Sequence, residues 1–245
     1  MSLNWEEAGD PNNKTIIFVH GAGGSAATWF LQIKGLSKYY HIIAIELNGH
    51  GKSQDRSEND VTQSYLIDIG DIVSKYKKPI LGGHSMGGAL TQLFSLQHPE
   101  LLGGIILVGT GARLRVNPLV FEMLDSNFDG YIEALGTFMF HEGVSKEMIA
   151  VSRQEARKCP PHIIRRDFEL CNQFDIMKAV SNITMPAIII VGEDDVMTPV
   201  KYANYLHTSI KNSTIHIVKS AGHMVMLEQA LEVNSIIISW LKTFT

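Results

Sequence analysis

Six short runs of apolar, largely β-branched residues punctuate the chain: Thr15–Val19, Ile42–Leu47, Ile80–Gly83, Gly104–Val108, Ala187–Val191 and Thr214–Val218. Each is almost continuously apolar and stops at a glycine or a polar turn. Strands buried on both faces of a parallel sheet read this way. Helical spacing fills the gaps. Residues 63–76 carry Leu66, Ile69, Ile72 and Val73 on one face, residues 87–97 are rich in Ala, Leu and Phe, and residues 229–242 space Val233, Ile236, Ile237, Trp240 and Leu241 by helical turns. Strands alternating with helices predict an α/β chain: an open, mostly parallel sheet with right-handed crossovers and helices on both faces.

The rhythm breaks once. Residues 112–175 hold no strand-like run, only amphipathic pieces at Leu119–Leu124, Tyr131–Phe140 and Lys146–Arg157, followed by the breaker Cys159-Pro160-Pro161. A structureless loop of that length is improbable in a compact domain. The expectation is one domain, with a core at 1–111 and 176–245 and an inserted helical lid at about 112–175.

Composition narrows the function classes. Hydrophobic residues make up 45% and charged residues 19%, enough apolar material for a core without staples. The formal net charge is −4, with no basic cluster of the kind nucleic acid requires. The two cysteines, Cys159 and Cys171, have no metal-ligand spacing and read as reduced thiols. No apolar run approaches the ~18 residues of a bilayer span, and the first residues lack a signal-peptide pattern. These features lead us to expect a cytoplasmic chain with no membrane span and no nucleic-acid partner.

The chemistry concentrates in Leu81-Gly82-Gly83-His84-Ser85-Met86-Gly87-Gly88. Here G-x-S-x-G (Gly83, Ser85, Gly87) directly follows an apolar strand and precedes a helix, which is the setting of a nucleophile elbow. A serine needs a base, and the base needs an acid to orient it. Both kinds of residue follow later strands. Glu193-Asp194-Asp195 comes after Ala187–Val191, and Gly222-His223 after Thr214–Val218. Among the ten histidines His223 has the best claim, because it follows the last strand and a glycine. His84 beside the serine suits packing or support, while His98, His207 and His216 read as exposed.

With His20-Gly21-Ala22-Gly23-Gly24, Asn48-Gly49-His50-Gly51-Lys52-Ser53, the elbow, the acid turn and Gly222-His223 all in order, the chain resembles the small, lidded esterase–lipase group of the α/β-hydrolase fold. The resemblance implies that Gly192, Asp195 and Pro199 mark the acid turn, selecting Asp195 over Glu193 and Asp194. It implies an oxyanion hole built from the amides of Met86 and Ala22, with Gly23 as the fallback donor, and a structural His20. It departs from the family pattern at Asn48, where a bulky or cationic residue is usual.

The resulting expectation is a serine hydrolase for a small to medium carboxylic ester, with Ser85, His223 and Asp195 as the triad and no cofactor or metal. Substrate-binding candidates are Gly21, His84, Met123, Phe138, Met139 and Met224. Arg153, Arg157, Lys158, Arg165 and Arg166 form a locally basic stretch, read either as a solvated face or as a docking surface for an acyl carrier protein bearing a methyl ester. A lyase or C–C hydrolase using the same triad, and a slow hydrolase-like receptor, stay open beside these readings.

Overall fold

The computed structural model describes residues 3–57 and 59–244; Met1, Ser2, Glu58 and Thr245, and with them both outer bounds of the expected core, lie outside the described residues. Seven strands form one sheet: β1 (Asn4–Ala8), β2 (Thr15–Val19), β3 (His41–Glu46), β4 (Ile80–His84), β5 (Gly104–Val108), β6 (Ala187–Gly192) and β7 (Ser213–Val218). Their spatial order is β1-β3-β2-β4-β5-β6-β7, and every pairing is parallel except β1 with β3. Six of these strands coincide with the six apolar runs.

The seventh, β1, was not expected from the pattern. Asn4-Trp5-Glu6-Glu7-Ala8 is polar because an edge strand buries little. It is held by its ladder to β3 and by side chains at its rim. Asn4 Nδ2 donates to Glu46 at 2.7 Å, and His41 Nε2 faces Glu7 at 2.7 Å.

The pleat sorts the sheet residues onto two cores. Ile17, Ile43, Leu81, Ile105 and Ile189 face α2 (Val61–Val73) and α3 (Met86–Gln97). Phe18, Ile42, Ile80, Ile106 and Ile188 face α1 (Phe30–Leu36) and the helix Ala230–Leu241. Burying one such isoleucine contributes about 1.5–3 kcal/mol, so this two-sided packing is the main source of stability. Asp60 caps α2 by accepting from the Gln63 amide at 3.0 Å, which sets its start two residues before the expected one.

Between β5 and β6 stand α4 (Pro118–Ser126), α5 (Phe128–Phe138), α6 (Lys146–Ala156) and α7 (Pro161–Gln173). The prolines read as a breaker serve as a start, since Pro161 occupies the first turn of α7, where its missing N–H costs nothing. The two ends of this insertion come together: Ile176 N donates to Ala112 O at 2.8 Å, and Arg113 Nε donates to Asp175 at 2.7 Å. Leu124, Tyr131, Ile132, Ile163 and Phe168 give it an apolar cluster of its own. Cys159 and Cys171 are buried, free thiols. Among the described residues no helix is long and apolar enough to cross a membrane.

Candidate active site

Because β2 through β7 run parallel, the loops that follow them gather on one edge of the sheet, where such folds bind ligands. Ser85 follows β4, the strand between β2 and β5. Its backbone lies at φ 53°, ψ −113°, outside the region favoured by a side-chain-bearing residue. Two glycines make the turn feasible. A Cβ at Gly83 would lie 2.1 Å from Gly87 O, and one at Gly87 would lie 2.3 Å from Val19 O. The strain is held by bonds on both sides: Ser85 N donates to Val108 O at 3.0 Å, and Thr110 Oγ1 donates to Ser85 O at 2.9 Å. Met86 opens α3, so its amide stands at the positive end of the helix dipole.

His223 and Asp195 meet on the same edge. His223 Nδ1 is 2.9 Å from Asp195 Oδ2, with both residues buried. Asp195 also accepts from Met197 N at 2.9 Å, Thr198 N at 2.8 Å and Thr198 Oγ1 at 2.8 Å. Burial alone would raise its pKa. The facing His223 and these hydrogen bonds outweigh burial and hold the carboxyl well below its usual range. Thr198 had no place in the sequence reading, yet its hydroxyl touches both members, lying 3.3 Å from His223 Nδ1. Asp194 turns outward to His141 Nδ1 at 2.8 Å, and Glu193 is exposed.

The other histidines divide by environment. His84 Nε2 donates to the His223 carbonyl at 3.0 Å, so β4 supports the histidine loop directly. His20 Nδ1 donates to Gly21 O at 2.8 Å while its Nε2 accepts from Leu47 N at 3.2 Å. Burial, reinforced by a neighbouring histidine, pushes both pKa values down to about 3, which keeps both rings neutral at pH 7. His98 and His207 are exposed as expected, whereas His216 on β7 is half-buried.

A cavity of about 630 Å³ opens over Ser85 and His223, between the sheet edge and the insertion. Gly21, Ala22, His84, Met139 and Met224 line it, as do Tyr131, Leu135, Met148, Ile164 and Phe168. Two expected wall residues do not. Met123 packs into the apolar cluster among the inserted helices, and Phe138, at the end of α5, is 53% exposed. Helical phase separates Phe138 from the adjacent Met139, and Met123 belongs to another helix, α4. Apart from histidines, the charged lining residues are Glu6, Glu147 and Glu155; among the described residues no Lys or Arg lines the cavity. Nor do the described residues group three or more His, Cys, Asp or Glu in a way that could hold a metal.

The basic stretch 153–166 is paired off. Arg153 meets Glu133, Arg157 meets Asp129, Lys158 meets Glu155, Arg165 meets Asp125 and Glu169, and Arg166 meets Asp55. Asn48 stays outside the cavity, its Nδ2 donating to Ser64 Oγ at 2.9 Å and its Oδ1 accepting from Arg56 N at 2.8 Å.

A buried group escaped the sequence reading. Asp167 of α7 is fully buried and accepts from Gly23 N at 2.8 Å, His50 Nε2 at 2.8 Å and Tyr65 Oη at 2.6 Å. The signal was available, since Asp167 sits one helical turn from both Ile163 and Cys171, inside the apolar stripe of its helix. An acid there is buried and therefore partnered.

Comparison with known proteins agrees with this fold. The hydrolase YugF of Bacillus subtilis, whose function is uncharacterised, is 26% identical over 99% of this chain and 95% of its own length. The (E)-2-((N-methylformamido)methylene)succinate hydrolase of Acinetobacter baylyi is 26% identical over 93% and 90%. A solved thermophilic esterase is 29% identical and superposes with a TM-score of 0.85 over 99% of this chain and 98% of that one. The sequence model of the alpha/beta hydrolase family matches residues 16–236, and the chain therefore belongs to that family.

Proposed function

We infer that the protein hydrolyses a neutral carboxylic ester of small to medium size through an acyl-serine intermediate. The observation that carries this reading is the strained Ser85 on the floor of a largely apolar cavity beside the buried His223–Asp195 pair. With Nδ1 tied to Asp195, His223 has Nε2 to take the Ser85 proton as Oγ attacks the ester carbon. Asp195 stabilises the imidazolium. The oxyanion rests on the amides of Met86 and Ala22, neither of which has a hydrogen-bond partner among the described residues. Collapse breaks the bond to the alkoxide, which leaves as the alcohol with the proton from His223. Water, deprotonated by His223, then releases the acid and restores Ser85. The insertion acts as the lid of this site.

The wall chemistry supports a neutral acyl group. An anionic substrate such as a succinate, as in the Acinetobacter relative's name, would meet acidic side chains and, among the described residues, no Lys or Arg in the cavity. A carrier protein would find the basic residues of 153–166 already engaged. The test is a panel of p-nitrophenyl esters from acetate to octanoate, with Ser85→Ala as control. We expect turnover that depends on Ser85, and butyrate favoured over the matching mono-succinate ester by at least tenfold in kcat/KM. Equal activity in the Ser85→Ala protein would overturn the mechanism, and preference for the succinate would overturn the substrate class.

A further inference from the structure

The loop after β2 carries the proposed second oxyanion donor, the Ala22 amide, and the direction of that N–H depends on the two peptide planes flanking Ala22. The first plane joins Gly21 to Ala22. Its carbonyl, Gly21 O, accepts from His20 Nδ1 at 2.8 Å and from Gly24 N at 3.0 Å. In a trans peptide the N–H points opposite to the C=O, so these two bonds aim the Ala22 N–H the other way. The second plane joins Ala22 to Gly23. Its N–H donates to Asp167 Oδ2 at 2.8 Å. With both planes pinned, Ala22 cannot rotate without breaking a bond inside the protein.

Of these anchors, Asp167 is the one that comes from outside the sheet edge. It belongs to α7 in the insertion, far from the loop in sequence, and its carboxylate is fully buried. Its other donors, His50 Nε2 and Tyr65 Oη, come from the core. Tyr65 is steadied in turn by Arg166 Nε at 3.1 Å. Contact reinforces charge: Gly23 sits at φ 64°, and a Cβ there would lie 2.9 Å from Ile164, one turn before Asp167 on the same helix. Because Asp167 occupies the Gly23 amide, the fallback donor is removed and Ala22 is left to serve.

We propose that Asp167 is a positioning residue for the oxyanion hole: through the Gly23 amide it locks the loop in the one orientation that presents the Ala22 N–H to the reacting carbonyl, making the insertion part of the catalytic apparatus. This rests on the acyl-serine reading above. A fixed donor acts on the charge that develops in the transition state and hardly on the bound ester, so loss of the lock should appear in kcat and leave KM in place.

The test is Asp167→Asn, which keeps the side chain's shape but sets an NH₂ against at least one of three donors. Rates are taken per active site, counted by exhaustive fluorophosphonate labelling, so that misfolded protein drops out. We expect kcat on p-nitrophenyl butyrate to fall about 10- to 100-fold with KM within twofold, below the 10²–10³ loss of a whole oxyanion donor. Affinity for an alkyl trifluoromethyl ketone, whose adduct with Ser85 carries the oxyanion, should fall by the same factor. Should Asp167→Asn fail to fold, Tyr65→Phe removes one donor from the carboxylate and carries the test, with about a threefold loss in both quantities. Unchanged kcat and ketone affinity per active site in the folded variants would overturn the proposal while Ser85-dependent turnover stands. Absence of Ser85-dependent turnover in the unsubstituted protein would instead bring down the reading beneath it.

Discussion

The loops at the carboxyl edge of the sheet and the helical insertion above them both shape the cavity, by different physical means. On the sheet edge, position follows from backbone. Ser85 is strained between two glycines, Asp195 receives two amides of its own turn, and His84 and His20 bond to neighbouring carbonyls. The insertion works mainly through side chains, along two seams. The inner seam is Asp167, dry and charged, on the loop after β2. The outer seam meets the histidine loop: Met224 N donates to Met139 O at 3.0 Å, Glu228 accepts from Gly222 N at 2.9 Å and His141 N at 2.7 Å, and Asp194 pairs with His141. Covalently local geometry should tolerate least change, buried seams less than exposed ones.

The largest effect is therefore expected at the acid turn. Asp195→Asn leaves the shape but puts an amide opposite His223 Nδ1, favouring the wrong tautomer; kcat should fall by about 10⁴. Asp194→Asn, one residue away and turned outward, should stay within twofold. Comparable losses in the two variants would mean that the acid had been assigned to the wrong carboxylate.

A pH series separates the sheet edge from the inner seam. His20 and His84 are buried with pKa values pushed down to about 3, against ~6.5 in an unfolded chain. A depressed folded value means their contribution is complete above pH ~6.5 and is lost as pH falls toward 3. The slope is at most about 1.4 kcal/mol per pH unit for each histidine. Burial opposes ionisation of Asp167, but His50 and its hydrogen bonds hold the carboxyl below the ordinary value, so its contribution declines only below pH ~3.9. Urea unfolding between pH 7 and pH 4 should show stability falling with acid. His84→Gln should flatten that limb, and Asp167→Asn should leave it unchanged. A flat limb in the unsubstituted protein would mean that neither histidine is held neutral.

The same division governs what could be read from the residues. Sheet-edge chemistry is written in short strings, such as Gly83–Gly87, Gly192–Pro199 and Gly222-His223, because strand ends fix where the next residues point. Five strands were legible for a related reason: burial on both faces leaves an unbroken apolar run, whereas β7, the other edge strand, is largely half-buried or exposed and showed only through its β-branched residues. The strand β1 buries too little to write such a run. In the insertion, apolar character marked which residues pack but not which face they pack on. Met123 and Phe138 were thus expected in the wall, while Tyr131, Ile164 and Phe168 are found there. The burial of Asp167 was legible in the apolar stripe of its helix, but its partners were not: the pairing with Tyr65 joins segments over a hundred residues apart, which no local spacing encodes.

The outer seam gives the smallest expected effect and the sharpest contrast with Asp167. His141 and Asp194 are about a third and a half exposed, so water and salt share their interaction. Exposed ion pairs contribute about 0.2–1 kcal/mol. A double-mutant cycle of His141→Ala and Asp194→Asn should return a coupling in that range at low salt, fading toward zero at 1 M NaCl, with kcat within twofold throughout. The seam's remaining bonds explain that tolerance, since the Met224–Met139 backbone bond and both amides on Glu228 survive these substitutions. A coupling above about 2 kcal/mol, or a loss of kcat that tracks it, would place the outer seam on the same footing as the inner one, and the distinction between side-chain seams by burial would fail.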